Sequence, residues 1–148
     1  MNKNIIIISV VVIILIIAAA IYFASISNQN QQQNSNNFEI QGMKVEILQQ
    51  GTGQAAKAGD KITVNYVGIL QDGAKFDSSI DRGQPFTFIL GQNSVIQGWE
   101  LGVAGMKVEE KRKLIIPPEL AYGSQGTGGV ISPNATLIFE IDLLGINQ

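Results

Sequence analysis

The sequence predicts an α+β domain, an antiparallel sheet with one short helix, preceded by a single transmembrane helix. Three observations carry this prediction. Residues 5–26 form an apolar run with no polar face. Residues 27–37 contain nothing but Asn, Gln and Ser. From Phe38 onward, short stretches of period-two alternation are separated by glycines, and one stretch has a three- and four-residue period.

The first run reads IIIISVVVIILIIAAAIYFASI, interrupted only by Ser9, Ser25 and the Tyr22 hydroxyl. At about 1.5 Å per residue it reaches roughly 33 Å, enough for a hydrocarbon core about 30 Å thick. Its β-branched residues favour a strand in water. In lipid every backbone group needs an internal partner, which a lone segment finds only as a helix. Tyr22 and Phe23 stand where interfacial aromatics belong. A cleaved signal peptide is the rival reading. Lys3 and the amino terminus form a minimal positive region, and Ala18-Ala19-Ala20 fits a cleavage pattern. The apolar run continues past those alanines, which favours an uncleaved anchor. A buried helix of a globular domain would need a polar face that the run lacks. Positive charge precedes the run and none follows it closely. The tip at residues 1–4 is therefore expected in the cytoplasm and the rest of the chain on the other side.

Residues 27–37 cannot bury a core and read as a flexible linker. In the domain at residues 38–148, Val45 and Ile47 alternate with Lys44 and Glu46. Ile62, Val64, Tyr66 and Gly68 alternate with Thr63, Asn65 and Val67 until Gln71-Asp72-Gly73, a hairpin-type turn. Phe86, Phe88 and Leu90 mark another strand. The helix is expected to start near Asn93-Ser94, an N-cap pair, and to run through Ile96, Trp99 and Val103. Arg112, Leu114 and Ile116 alternate until Pro117-Pro118 ends the pairing. Residues 136–144 form the last strand.

Composition excludes several chemistries. The chain has no Cys and no His. Disulfides, thiolate sites, His ligands and every Ser-His or Cys-His arrangement are therefore ruled out. All 12 acidic residues lie at or after Glu39, with 9 of the 10 basic ones, so the domain is mildly acidic. That gives no support for nucleic-acid binding. No metal-ligand cluster exists, and no metal or cofactor is implied.

Specific motifs sit on these strands and turns. They are Val64-Asn65-Tyr66-Val67-Gly68, Asp72-Gly73-Ala74-Lys75-Phe76-Asp77-Ser78-Ser79 and Pro85-Phe86-Thr87-Phe88. Val95-Ile96-Gln97-Gly98-Trp99-Glu100 follows, then Gly105-Met106 and Pro117-Pro118-Glu119-Leu120-Ala121-Tyr122-Gly123. The last is Pro133-Asn134-Ala135-Thr136-Leu137-Ile138-Phe139. In this order and spacing, residues 43–144 resemble the FKBP-type peptidyl-prolyl cis/trans isomerases. The resemblance implies an antiparallel sheet curled around a short helix, with a pocket between them. It also implies an isomerase of X-Pro bonds, which with the expected topology would assist protein folding outside the cytoplasm. Its partners would be proline-containing polypeptides, the membrane through the N-terminal helix, and macrolide FKBP ligands. A monomer is expected.

The chemistry suits a chain without His or Cys. Amide resonance gives the peptide bond a rotation barrier of about 18–20 kcal/mol. The cis and trans forms of an X-Pro bond differ by only about 0.5–1 kcal/mol, so the obstacle is kinetic. In the twisted transition state resonance is lost and the carbonyl becomes less polar. No bond breaks and no proton need move. A site for this should be apolar, shaped for a prolyl ring, and fitted with a few polar groups.

By resemblance, Tyr66, Phe76, Asp77, Trp99, Tyr122 and Phe139 would carry catalysis, with Trp99 as the floor and Asp77 at the rim. Arg82, Phe86, Val95, Ile96 and Ile131 would bind substrate. Arg82 would partner Asp77. The Ile96 N–H and the Tyr122 hydroxyl would donate to the peptide. The loop at residues 123–132 would cover the site, with Ile131 on the ligand.

Plainer readings stand beside these. The aromatics fit an ordinary core. Asp77 fits a cap for the turn at Ser78-Ser79, and Arg82 a surface charge paired with Asp81. Lys111-Arg112-Lys113 reads as an exposed strand face. Asn134-Ala135-Thr136 is a glycosylation-type triplet inside a family motif. Ser132-Pro133 stands where many relatives have two prolines. Gly126-Thr127-Gly128-Gly129 suggests a mobile loop, with no insertion of the kind that forms a chaperone domain in some relatives. A binding module with incidental catalysis, and a membrane protein whose helix carries the role, are the competing functions.

Overall fold

The computed structural model describes residues 3–147 and divides into two compact units, residues 1–35 and 36–148. The first is helix α1 (Lys3–Asn36). Its stretch Val10–Gln29 is long and apolar enough to cross a membrane, a property that signal sequences share. The helix does not stop at Ile26 but continues through the Asn/Gln-rich residues, for which the sequence predicts an irregular linker. Extending a formed helix costs far less than nucleating one, and Gln is a fair helix former.

The second unit is a seven-stranded antiparallel sheet with one short helix. Its strands are β1 (Asn37–Ile40), β2 (Met43–Gln49), β3 (Lys61–Leu70), β4 (Lys75–Ser78), β5 (Phe86–Ile89), β6 (Lys111–Ile116) and β7 (Leu137–Asn147). Helix α2 is Gln97–Val103. The strand order is β1-β2-β6-β7-β3-β4, and β5 also pairs with β3.

Alternation sets the inner face. Ile62, Val64 and Tyr66 of β3 are buried, as are Leu114 and Ile116 of β6 and Leu137, Phe139, Ile141 and Leu143 of β7. Pairing lines these up: Leu114 opposes Phe139, which opposes Gly68, and Ile141 opposes Tyr66. Burying each such aliphatic side chain is worth about 1.5–3 kcal/mol. The β3–β4 turn forms as the sequence suggests, with Gly73 at φ 88°. There the Ala74 N–H donates to the Asp72 carboxylate at 2.9 Å.

Helix α2 lies flat on β6. A methyl group at Gly98 would overlap Ile116, and one at Gly102 would overlap Leu114. The helix starts later than Asn93-Ser94 because Asn93 is left-handed (φ 52°) and Ile96 is extended (φ −59°, ψ 151°). No side chain caps its N-terminus. The Ile96 carbonyl instead accepts from the Trp99 N–H at 2.9 Å and the Glu100 N–H at 3.2 Å. The Glu100 carboxylate accepts the Gly91 N–H at 2.6 Å, closing the loop before the helix.

The triplet at residues 111–113 is not a uniformly exposed face. Lys111 and Lys113 are half-buried, whereas Arg112 is buried on the inner face with Glu110. Period-two geometry requires this: the residue between two outward lysines must point inward.

Candidate functional site

A cavity of about 250 Å³ opens between α2 and the inner face of the sheet. Tyr66 (β3), Phe76 and Asp77 (β4), Phe86 (β5) and Phe139 (β7) line the sheet side. Ser94, Val95, Ile96 and Trp99 line the side of the helix and its entry loop, and Tyr122 lines the loop after β6.

Trp99 is 4% exposed and organises the apolar wall. Its ring meets Tyr66 at 5.0 Å and 86°, Phe139 at 5.3 Å and 87°, and Phe86 at 5.9 Å and 78°. These edge-to-face geometries are favoured by the ring quadrupoles. Phe76 meets Phe139 the same way, at 5.5 Å and 85°. Gly68 makes that meeting possible, because a Cβ there would sit 2.7 Å from Phe76 and 2.8 Å from Phe139. The Trp99 indole N–H is buried without an acceptor among the described residues. Stability alone would favour a ring without that orphan donor.

One polar cluster interrupts the aromatic wall. The Tyr66 hydroxyl donates to one Asp77 oxygen, and Arg82 donates to the other. Arg82 also donates to the Tyr66 hydroxyl at 2.8 Å, with its guanidinium 5.5 Å from the ring centroid. The Ser78 N–H adds a bond to Asp77 at 2.8 Å. Asp81 pairs with Lys75 rather than with Arg82. The fully buried Ser79 accepts the Tyr66 N–H at 2.9 Å and so fixes the backbone behind the ring.

The cluster shifts its own titrations. Burial alone would raise the Asp77 carboxyl; the bonds from Tyr66, Arg82 and Ser78 and the Arg82 charge outweigh it and hold the group below its ordinary range. Burial raises the Tyr66 hydroxyl above its ordinary value, aided by the bond to Asp77 and opposed by Arg82.

Nine of the expected residues meet at the cavity: Tyr66, Phe76, Asp77, Phe86, Val95, Ile96, Trp99, Tyr122 and Phe139. Arg82 does not line it and reaches it through Asp77 and Tyr66. Ile131 does not line it either. It is 6% exposed, belongs to the core and forms an isolated bridge with Thr127. Ser94 does line it, although its residue type suggests only a helix cap. The Ile96 N–H donates to no acceptor among the described residues, leaving a donor at the cavity wall. Tyr122 is set by the turn at Pro118–Leu120, where the Gly123 N–H donates to the Pro118 carbonyl at 2.9 Å.

Residues 52–144 match a family model described as FKBP-type peptidyl-prolyl cis-trans isomerase. The chain is 55% identical over 107 residues to an FK506-binding protein of Neisseria meningitidis serogroup B, covering 72% of this chain and 98% of that protein. It is 50% identical over 109 residues to FK506-binding protein 1A of Neurospora crassa, covering 73% and 91%. The crystal structure of AtFKBP13 superposes with a TM-score of 0.68 at 38% identity, covering 72% of this chain and 94% of that one. A peptidyl-prolyl cis-trans isomerase of Pseudomonas syringae pv. tomato superposes with a TM-score of 0.69 at 38% identity, covering 76% and 82%. The fold is FKBP-like.

The titration directions give a prediction. A depressed Asp77 stays ionised at neutral pH and loses its charge only as pH falls through the lowered value. A raised Tyr66 stays protonated until the pH exceeds about 10. With no His or Cys in the chain, kcat/KM for a proline peptide should stay flat between about pH 5 and about pH 9. A pH series of initial rates checks this, and an inflection near neutrality would contradict it.

Proposed function

The chain belongs to the FKBP-type peptidyl-prolyl cis-trans isomerase family and is an enzyme of that class, and from that premise we propose how its cavity turns an X-Pro bond. The observation that carries the proposal is an aromatic-walled cavity floored by Trp99, with one tethered carboxylate on its wall. The prolyl ring rests on Trp99 between Tyr66, Phe76, Phe86 and Phe139. An apolar wall favours the twisted imide over the planar one, because the twisted carbonyl has lost resonance polarity and costs less to desolvate. The Ile96 N–H and the Tyr122 hydroxyl hold the peptide on either side of the twisting bond. Asp77 faces the rotating carbonyl. Arg82 and the Tyr66 hydroxyl keep that carboxylate fixed, so it needs no reorganisation as the bond turns. Val95 and Ile96 shape the entry. Ile131 supports the covering loop from below.

The same reading assigns the chain's organisation. Residues 5–26 span the membrane, 27–37 tether, and 38–148 form the isomerase domain, with the amino terminus in the cytoplasm. Clients are proline-containing polypeptides folding on the far side of the membrane. A macrolide of the FK506 class, the ligand for which the relatives are named, is the expected competitive ligand.

Two measurements follow. In a protease-coupled assay on the full chain in detergent, the wild type should accelerate isomerisation of a proline peptide. Phe76→Ala should lower kcat/KM about tenfold or more, roughly 1.4 kcal/mol of transition-state stabilisation. A folded wild type with no acceleration would refute the reading. For topology, the cysteine-free chain allows a single reporter at the exposed Ser124. Ser124→Cys should react with a membrane-impermeant maleimide in intact cells. Labelling only after permeabilisation would place the domain in the cytoplasm.

A further inference from the structure

At the C-terminal end of α2 lies a second polar cluster that takes no part in the chemistry above. Arg112 and Glu110 are both buried, with side chains 7% and 3% exposed, and they form an ion pair through Arg112 Nε. The second Glu110 oxygen accepts the Lys107 N–H at 3.0 Å. Arg112 Nη1 donates to the Gly102 carbonyl at 2.8 Å and the Ala104 carbonyl at 3.3 Å. The Phe38 ring covers the guanidinium, its centroid 5.7 Å away.

The target of those bonds is the C-terminal end of α2. A seven-residue helix has no stability of its own and leaves its last carbonyls without intrahelical donors. The Val103 carbonyl is taken by the Met106 N–H at 3.0 Å, and Arg112 takes those on either side of it. The inner face of β6 thus indexes the helix at three successive inward positions. Ile116 meets Gly98, Leu114 meets Gly102, and Arg112 binds the end. The two apolar contacts set how closely the helix approaches. They are non-directional and leave it free to slide. The bonds from Arg112 are directional and fix it along its axis.

A buried ion pair is a poor source of stability, because apolar side chains of similar volume fill the same space at no desolvation cost. Its presence beneath this helix calls for another role. We propose that Arg112 is a positioning residue for the isomerase site: it pins the end of α2, and through it Trp99, with Glu110 as the strut that orients the guanidinium. The proposal rests on Trp99 being the pocket floor.

The test uses the full chain in detergent and the double variant Glu110→Gln with Arg112→Met. This removes both charges and keeps an acceptor for the Lys107 N–H. Two readouts are taken well below the melting temperature: kcat/KM per folded molecule, and the near-ultraviolet signal and emission of Trp99, the only tryptophan. Loss of the pin should lower kcat/KM about tenfold, as expected for a small misplacement of a positioned group. It should also shift the Trp99 signal, beyond what a core substitution of comparable stability loss produces. The reference is Val45→Ala, a core substitution on β2 that should cost stability and move neither readout. Wild-type activity and an unchanged Trp99 signal in the double variant would overturn the proposal. Arg112→Lys carries the same test if the double variant does not fold. Its single ammonium reaches the carboxylate or the carbonyls but not both, so both readouts should fall short of wild type. Wild-type values on both would again overturn the proposal. The Trp99 signal reports the floor's position independently of turnover, so a wild type that proves inactive refutes the isomerase reading without deciding this one.

Discussion

Two glycines decide where the pocket can be. At positions 98 and 102 no side chain fits between α2 and β6, so the helix rests on Ile116 and Leu114 directly. That contact lowers one face of a short helix onto the sheet and turns Trp99, between the two glycines, into the interior. A larger residue at either position would lift the helix and with it the floor. The remaining rings then arrange themselves edge-on around Trp99, and Gly68 lets Phe76 and Phe139 close the wall. Close packing of α2 on β6 thus leaves the unfilled volume beside it, on the same inner face of the sheet.

The chemistry follows from what fills that wall and what is missing from the chain. Rotation about an X-Pro bond asks for desolvation, shape and a fixed field rather than for proton transfer. In the proposed mechanism the aromatic wall supplies the first two. The Tyr66–Asp77–Arg82 cluster would supply the third, because each member is held by the other two and the carboxylate has little freedom to follow the substrate. A catalytic His would add nothing, and the chain has none.

Much of this is legible in the amino-acid sequence. Period-two alternation locates β2, β3, β5, β6 and β7, because each has one face in the core and one toward solvent. The start of α2 is less legible. Asn93-Ser94 has the residue types of a cap, yet Asn93 is left-handed and the Glu100 carboxylate performs the closure instead. Arg112 looks exposed because its neighbours are lysines, although strand periodicity demands that it face inward. Most of the expected site residues meet at the cavity, but ordered motifs, not periodicity, point to them. Periodicity alone cannot separate a pocket wall from a core. Ser94 escapes notice because a serine before a helix signals a cap. The family motifs imply Ile131 on the ligand; the structure shows it buried and not among the residues that line the cavity.

The central claim is that the cavity accelerates rotation by accommodating a twisted imide without moving a proton. The most direct test is magnetisation-exchange NMR on a proline peptide with the full chain in detergent, run in H2O and in D2O. The account predicts clear acceleration of cis–trans exchange, with matching catalysed rates in the two solvents. Acceleration that drops markedly in D2O would contradict it by placing a proton transfer in the rate-limiting step, and no acceleration from a folded chain would remove its premise.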